Sequence, residues 1–134
     1  MRVRLVTAED AGRLAALHAE GFDAPWSARE IADVLSWPGV FGLLAGDTDD
    51  EGMILMRVIA DDAEVLTIAV APRARRRGVA RALLAESVGR AVLAGADAMF
   101  LEVAVDNAPA IALYQALGFV AAAISFSSGF VVLV

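Results

Sequence analysis

The chain contains no cysteine and no lysine, and it has one histidine and one tyrosine. Without cysteine there is no disulfide, thiolate metal site or thiol nucleophile, a composition compatible with a reducing cytoplasm, where we expect the protein to work. His18 has no second imidazole or thiolate with which to share a metal, so no metal is expected. In the absence of lysine, all 11 basic residues are arginine. Forked guanidinium groups suit phosphate better than an ammonium does, although genomic base bias produces the same composition. They are outnumbered by 17 acidic residues, giving a net charge of −6 and a pI near 4.6. Such a field repels nucleic acid and anionic membrane, so neither is an expected partner. An anion bound here must be small and held locally.

Long apolar runs are also scarce. MRVRLVTAED lacks the continuous apolar stretch of a signal peptide and reads as mature structure. No charge follows Asp106, but the FVAAAISFSSGFVVLV segment is interrupted by Ser125, Ser127, Ser128 and Gly129. A spanning helix needs about 20 mainly apolar residues, and two short buried strands around a Ser-Ser-Gly turn explain the segment better.

A length of 134 residues with 59% hydrophobic content fits one domain over 1–134 with ample core material. The pattern predicts a strand at 2–6, then a helix opened by a Thr7/Asp10 capping box, carrying Ala11, Leu14, Leu17 and His18 and stopping near Gly21. A Ser27/Glu30 box opens a second helix to about Ser36, where Trp37-Pro38-Gly39 breaks it. Strands come next at 40–45, 52–60 and 64–70, the last two joined through Asp61, Asp62 and Ala63. From Gly78 the period becomes helical, with Val79, Leu83, Leu84, Val88, Ala91 and Val92 as the apolar stripe, a Glu86/Arg90 pair on the wet side and Gly95 as terminator. The near-continuous apolar segment 98–103 reads as an interior strand. Asn107 caps a helix over 108–117, with Pro109 in its first turn. Strands at 120–126 and 130–134 complete an α+β architecture around a mixed, mostly antiparallel twisted sheet.

Within this pattern, APRARRRGVARA places five arginines in nine positions around Gly78, between a strand and a helix. A helix N-terminus offers unpaired N–H groups and the positive end of the helix dipole, and a glycine there lets a diphosphate approach the backbone. An arginine-rich localisation or nucleic-acid patch, or a plain basic loop, has the same local composition.

The motifs on either side of that turn narrow the choice. In order, LTIAV, RRRGVARALL and FLEV…DNAPAIALYQALGF resemble the GNAT superfamily of acyl-CoA-dependent N-acetyltransferases. Within it they are similar to the RimI branch, which acetylates the N-terminal amine of a ribosomal protein. The resemblance runs to about Phe119 and implies acetyl-CoA as co-substrate, with a protein N-terminus or another amine as acceptor. It implies that main-chain groups of Ile68, Ala69 and Val70 hold the pantetheine arm and the thioester carbonyl. The diphosphate is then surrounded by the turn of Arg75, Arg76, Arg77, Gly78, Val79, Ala80 and Arg81, mainly through backbone N–H groups. Asn107 bonds the cofactor arm, caps the helix, or does both. Glu102, the one carboxylate on its strand, is the implied base, and partial burial would suit it to that task. Tyr114 is the implied proton donor to the coenzyme sulfur. Trp26 corresponds to the loop that walls the acceptor groove; packing between two helices is its equal alternative. Two departures bear on the acceptor: Ala104 stands where this branch usually has arginine, and no long basic and aromatic loop separates the last two strands.

Overall fold

The computed structural model describes residues 1–104, 106–125 and 130–133. Among these residues seven strands run β1 Val3–Leu5, β2 Val40–Ala45, β3 Gly52–Ile59, β4 Asp62–Val70, β5 Ala98–Ala104, β6 Ala121–Ser125 and β7 Phe130–Leu133. Four helices accompany them: α1 Ala11–Gly21, α2 Ala28–Leu35, α3 Val79–Leu93 and α4 Ala108–Ala116. The strands form one sheet in the order β1-β2-β3-β4-β5-β7-β6. β4 and β5 are parallel, and the other neighbouring pairs are antiparallel. The expected α+β class is therefore observed. The last two strands match over 121–125 and 130–133, whereas Phe126, the Ser127–Gly129 turn and Val134 lie outside the described residues, as does the expected shortness of that connection. Among the described residues no helix is long and apolar enough to cross a membrane.

Both capping boxes form. Thr7 and Asp10 open a short 3-10 turn that runs into α1, and Ser27 with Glu30 opens α2; each satisfies two otherwise orphaned donors. The first box is tied to the sheet, because Asp10 also accepts two bonds from Arg4 on β1, at 3.0 and 3.2 Å. These bonds and the Thr7 N–H hold the Asp10 carboxyl at about 2, below its ordinary 3.8. A carboxyl lowered on folding stabilises the protein fully above its unfolded value and loses that contribution as pH falls through the folded one. Asp10→Asn is therefore expected to cost about 1 kcal/mol at pH 7. Urea unfolding from pH 5 to pH 2 should show the wild-type advantage over the variant disappearing; a gap constant across that window refutes the assignment.

The sequence pattern and the structure differ at two places. β4 begins at Asp62 rather than Glu64, because Ala60 and Asp61 suffice for the turn, with Ala60 at φ +54°. On α3 the buried face is Val79, Leu83, Leu84, Ser87 and Ala91, while Val88 and Val92 are exposed. At 100° per residue the buried positions centre between Leu83 and Ala91, and Leu84 lies at their edge while positions 88 and 92 turn about 100° and about 140° away from that centre. The N-terminal turn of α3 sits hard against β3, since a Cβ on Gly52 would lie 2.6 Å from Val79 Cγ1. That contact seats the start of α3 at the end of β4.

Candidate active site

β4 and β5 begin as neighbours, pairing Asp62, Ala63 and Glu64 with Ala98, Met99 and Phe100. Beyond that they separate. Leu55 pairs with Thr67 and Met56 with Val65, leaving Leu66 as an extra residue on β4; a bulge of this kind bends its strand and increases the twist. From Leu101 to Ala104, β5 pairs with β7 along its other edge, while its pairing with β4 ends at Phe100. Alternate residues of β4 between Val65 and Val70 therefore turn main-chain groups toward a gap with no strand partner among the described residues.

The gap encloses about 370 Å³, with Leu66, Ile68, Glu102, Ala104, Phe22 and Tyr114 among its walls. Asn107 and Ala110 line both this gap and a second cavity of about 750 Å³. The larger cavity is bounded by Val70, Arg75, Arg76, Gly78, Ala80 and Arg81. The two cavities thus adjoin at Asn107 and Ala110, one beside the splayed strands and the other at the arginine turn.

At that turn Arg76 and Gly78 both adopt positive φ, +66° and +80°. Left-handed residues alternating with ordinary ones gather successive N–H groups on one side, forming a concave anion site. Among the described residues, the N–H groups from Arg76 through Arg81 find no main-chain acceptor outside the helix. Gly78 is the N-cap of α3 and contributes no side-chain cap. Nothing lies within 4 Å of where its Cβ would stand, so its absent side chain leaves open space in front of the helix. Arg73 is engaged elsewhere, 3.5 Å from Glu20 and bonded to the Asp50 carbonyl at 2.6 Å. Arg75, Arg76 and Arg81 line the cavity and form no ion pair among the described residues. Val79 belongs to the same wall, whereas Arg77 does not reach it. Ala69 turns its side chain into the core, which leaves only its main chain for ligand contact.

Tyr114 is 8% exposed and meets Phe119 edge-on, with centroids 6.1 Å apart. Burial raises its phenol above the ordinary 10, so the hydroxyl keeps its proton at neutral pH. The Asn107 side chain accepts from the Ala110 N–H at 3.3 Å, capping α4, and the residue also borders both cavities. Glu102 corrects an expectation. Rather than partly buried, it is exposed, because strand alternation sends Leu101 and Val103 inward and Glu102 outward. It still borders the gap.

Trp26 stands behind the gap. Its ring lies 5.2 Å from that of His18, while Phe22 stacks on His18 at 4.1 Å and 8°. Phe22, not Trp26, lines the gap. Sequence reasoning missed Phe22 and Thr67; the signal for Phe22 was its place four residues beyond His18, just past the end of α1, where its N–H still bonds the His18 carbonyl.

An open edge of main-chain groups leading to a cationic, N–H-rich turn fits an extended thiol-linked arm ending in a diphosphate. The model of the acetyltransferase (GNAT) family matches residues 12–119. This chain belongs to that family. Among curated relatives, the bS18-alanine N-acetyltransferase of Escherichia coli is 34% identical over 95 residues, 71% of this chain and 64% of that protein. A mycothiol acetyltransferase of Clavibacter michiganensis is 35% identical over 129 residues, 88% of this chain and 42% of its own. The chain thus spans from 33% to 64% of the first curated relatives' lengths. The solved ribosomal-protein-S18-alanine N-acetyltransferase of E. coli superposes with TM-score 0.86 at 24% identity, over 98% of this chain and 90% of that one. The PaiA N-acetyltransferase of Thermoplasma acidophilum, solved with coenzyme A, reaches TM-score 0.86 at 17% identity over 99% and 98%. Both solved structures share the fold of this chain.

Proposed function

We propose that this GNAT chain transfers the acetyl group of acetyl-CoA directly to a primary amine, with a protein N-terminal α-amine, such as that of a ribosomal protein, as the leading acceptor. The observation that supports it most is the adjacency of the β4–β5 gap to the cavity at the arginine turn, the two sharing Asn107 and Ala110, which sets a strand-like groove beside a diphosphate seat. Ile68, Ala69 and Val70 hold the pantetheine arm and the thioester carbonyl through their main chain. Arg75, Arg76, Gly78, Val79, Ala80 and Arg81 take the diphosphate, with Arg77 contributing through its N–H group. Asn107 adds a contact to the arm where the strands separate.

An α-amine has a reference pKa near 7.7 to 8.0, so about a tenth is neutral at pH 7 and the base has a modest task. Glu102, open to water, receives the amine proton through that water as the new C–N bond forms and the C–S bond breaks. Tyr114 gives its proton to the departing sulfur. Among the described residues no cluster of three or more histidine, aspartate or glutamate side chains is placed to hold a metal ion. The cytoplasmic setting expected from the sequence belongs to this reading.

Mass spectrometry of an N-terminal peptide library incubated with protein and acetyl-CoA tests the acceptor class. A gain of one acetyl group on α-amines supports the reading; turnover only on small amines moves the acceptor to a metabolite, the direction in which the mycothiol acetyltransferase relative points. Acetyl-CoA binding without turnover on any amine favours a sensor or partner module. Glu102→Gln is expected to lower kcat/KM for the acceptor about a hundredfold while acetyl-CoA affinity stays within twofold. Unchanged kcat/KM in stopped-time assays removes Glu102 from the reaction.

A further inference from the structure

His18 is 1% exposed and bonded on both ring nitrogens. The main-chain N–H of Trp26 donates to Nδ1 at 3.0 Å, so Nδ1 is the acceptor and Nε2 carries the proton. Nε2–H in turn donates to Thr67 Oγ1, also at 3.0 Å. The rings of Phe22 and Trp26 both stack on the imidazole. Phe22 and Thr67 both border the β4–β5 gap. One imidazole thus joins the end of α1, the loop before α2 and the free-edge stretch of β4.

Resting on the acyl-transfer reading above, we propose that His18 is a positioning residue for the acceptor amine, fixing the Phe22–Trp26 loop against β4 so that Phe22 forms one wall of the gap. Only the neutral ring does this, because an imidazolium has no acceptor for the Trp26 N–H. Burial holds the imidazole below its ordinary value of 6.5, opposed by the Glu30 carboxylate on α2. β4 faces the ring with the neutral Thr67 hydroxyl and the loop with two aromatic side chains, so Glu30 is the charge that acts on it among the described residues. The chain therefore holds His18 neutral at pH 7 and releases the loop on acidification.

The test joins kinetics to fluorescence. In a Trp37→Phe background, where Trp26 is the remaining tryptophan, emission is expected to change between pH 8 and pH 5 with a midpoint below 6.5. His18→Asn keeps an acceptor oxygen at the Nδ1 position but cannot titrate, so its emission should stay flat. In assays at pH 7.5, His18→Leu is expected to raise acceptor KM at least tenfold with the acetyl-CoA Kd within twofold. His18→Asn should recover acceptor KM to within about threefold. The wild type's kcat/KM should fall more steeply below pH 6 than that of His18→Asn, in which the acceptor amine's own protonation still operates.

A pH-independent wild-type emission, an acceptor KM in His18→Leu within twofold of wild type, or equal losses in acceptor KM and acetyl-CoA Kd would each overturn the proposal. If His18→Leu does not fold, the wild-type and His18→Asn profiles decide it. A wild type that turns over no amine overturns the acyl-transfer reading instead, and the fluorescence titration then decides the loop latch by itself.

Discussion

Tyr114→Phe is expected to lower kcat about a hundredfold while leaving the acetyl-CoA Kd within twofold. The variant removes one oxygen from a side chain that is 8% exposed and packed edge-on against Phe119, so the ring and its packing survive. What is lost is the proton. A thiol of ordinary pKa near 8.5 leaves readily enough as thiolate that the donor's share is at the lower end of general acid catalysis, about 10²-fold, or roughly 2.7 kcal/mol of barrier. The sulfur needs that proton only as the C–S bond breaks, so the ground-state complex forms as before and the effect falls on kcat. Because burial raises the phenol above 10, the wild-type donor stays protonated throughout an assay range of about pH 6 to 9, and the rate loss should be the same at both ends. Steady-state kinetics beside calorimetric titration of acetyl-CoA separates the two quantities. A kcat within threefold of wild type removes Tyr114 from the chemistry and leaves it a core residue.

The site's parts that come from short-range rules were legible in the sequence. Gly78 between a strand and a helix, the Ser27/Glu30 box, the Asn107 cap and the apolar Ala98–Ala104 strand each arise from residues a few positions apart. The bulge at Leu66 was not legible, because nothing in AEVLTIAV distinguishes an extra residue from regular alternation; the register is set by the partner strand β3. The order β5-β7-β6 was hidden for the same reason, since pairing of β7 beside β5 is a long-range choice. Exposure on α3 was misjudged because apolar Val88 and Val92 suit a helical stripe by polarity and Ser87 does not. Ser87 is buried all the same, with its hydroxyl unpartnered among the described residues, so packing geometry and not polarity selected the face. Arg73 and Arg77 look equivalent to Arg75 in the sequence. Only the fold shows that Glu20 and the Asp50 carbonyl engage Arg73 and that Arg77 is not among the residues lining the cavity.

Gly78→Asp is expected to raise the acetyl-CoA Kd about a hundredfold with the fold intact. Glycine is used at φ +80°, a region that asparagine and aspartate tolerate better than other side chains, so backbone strain is a small part of the effect. Nor is there a clash inside the protein, since nothing lies within 4 Å of the added Cβ. The new carboxylate instead projects into the space where N–H groups and the Arg75, Arg76 and Arg81 side chains await an anion. A like charge about 5 Å from a diphosphate, at an effective dielectric near 20, opposes binding by roughly 3 kcal/mol per charge before salt screening. Gly78→Asn carries the same backbone demand and nearly the same bulk without the charge, and its Kd should lie within tenfold of wild type. The ratio between the two variants thus measures the electrostatic part, and it should shrink as ionic strength rises from 0.05 to 0.5 M. Isothermal titration of both variants across that range decides the matter: if Asp and Asn bind alike at low salt, the diphosphate does not sit at the start of α3, and the loop's arginines serve some other anion or none.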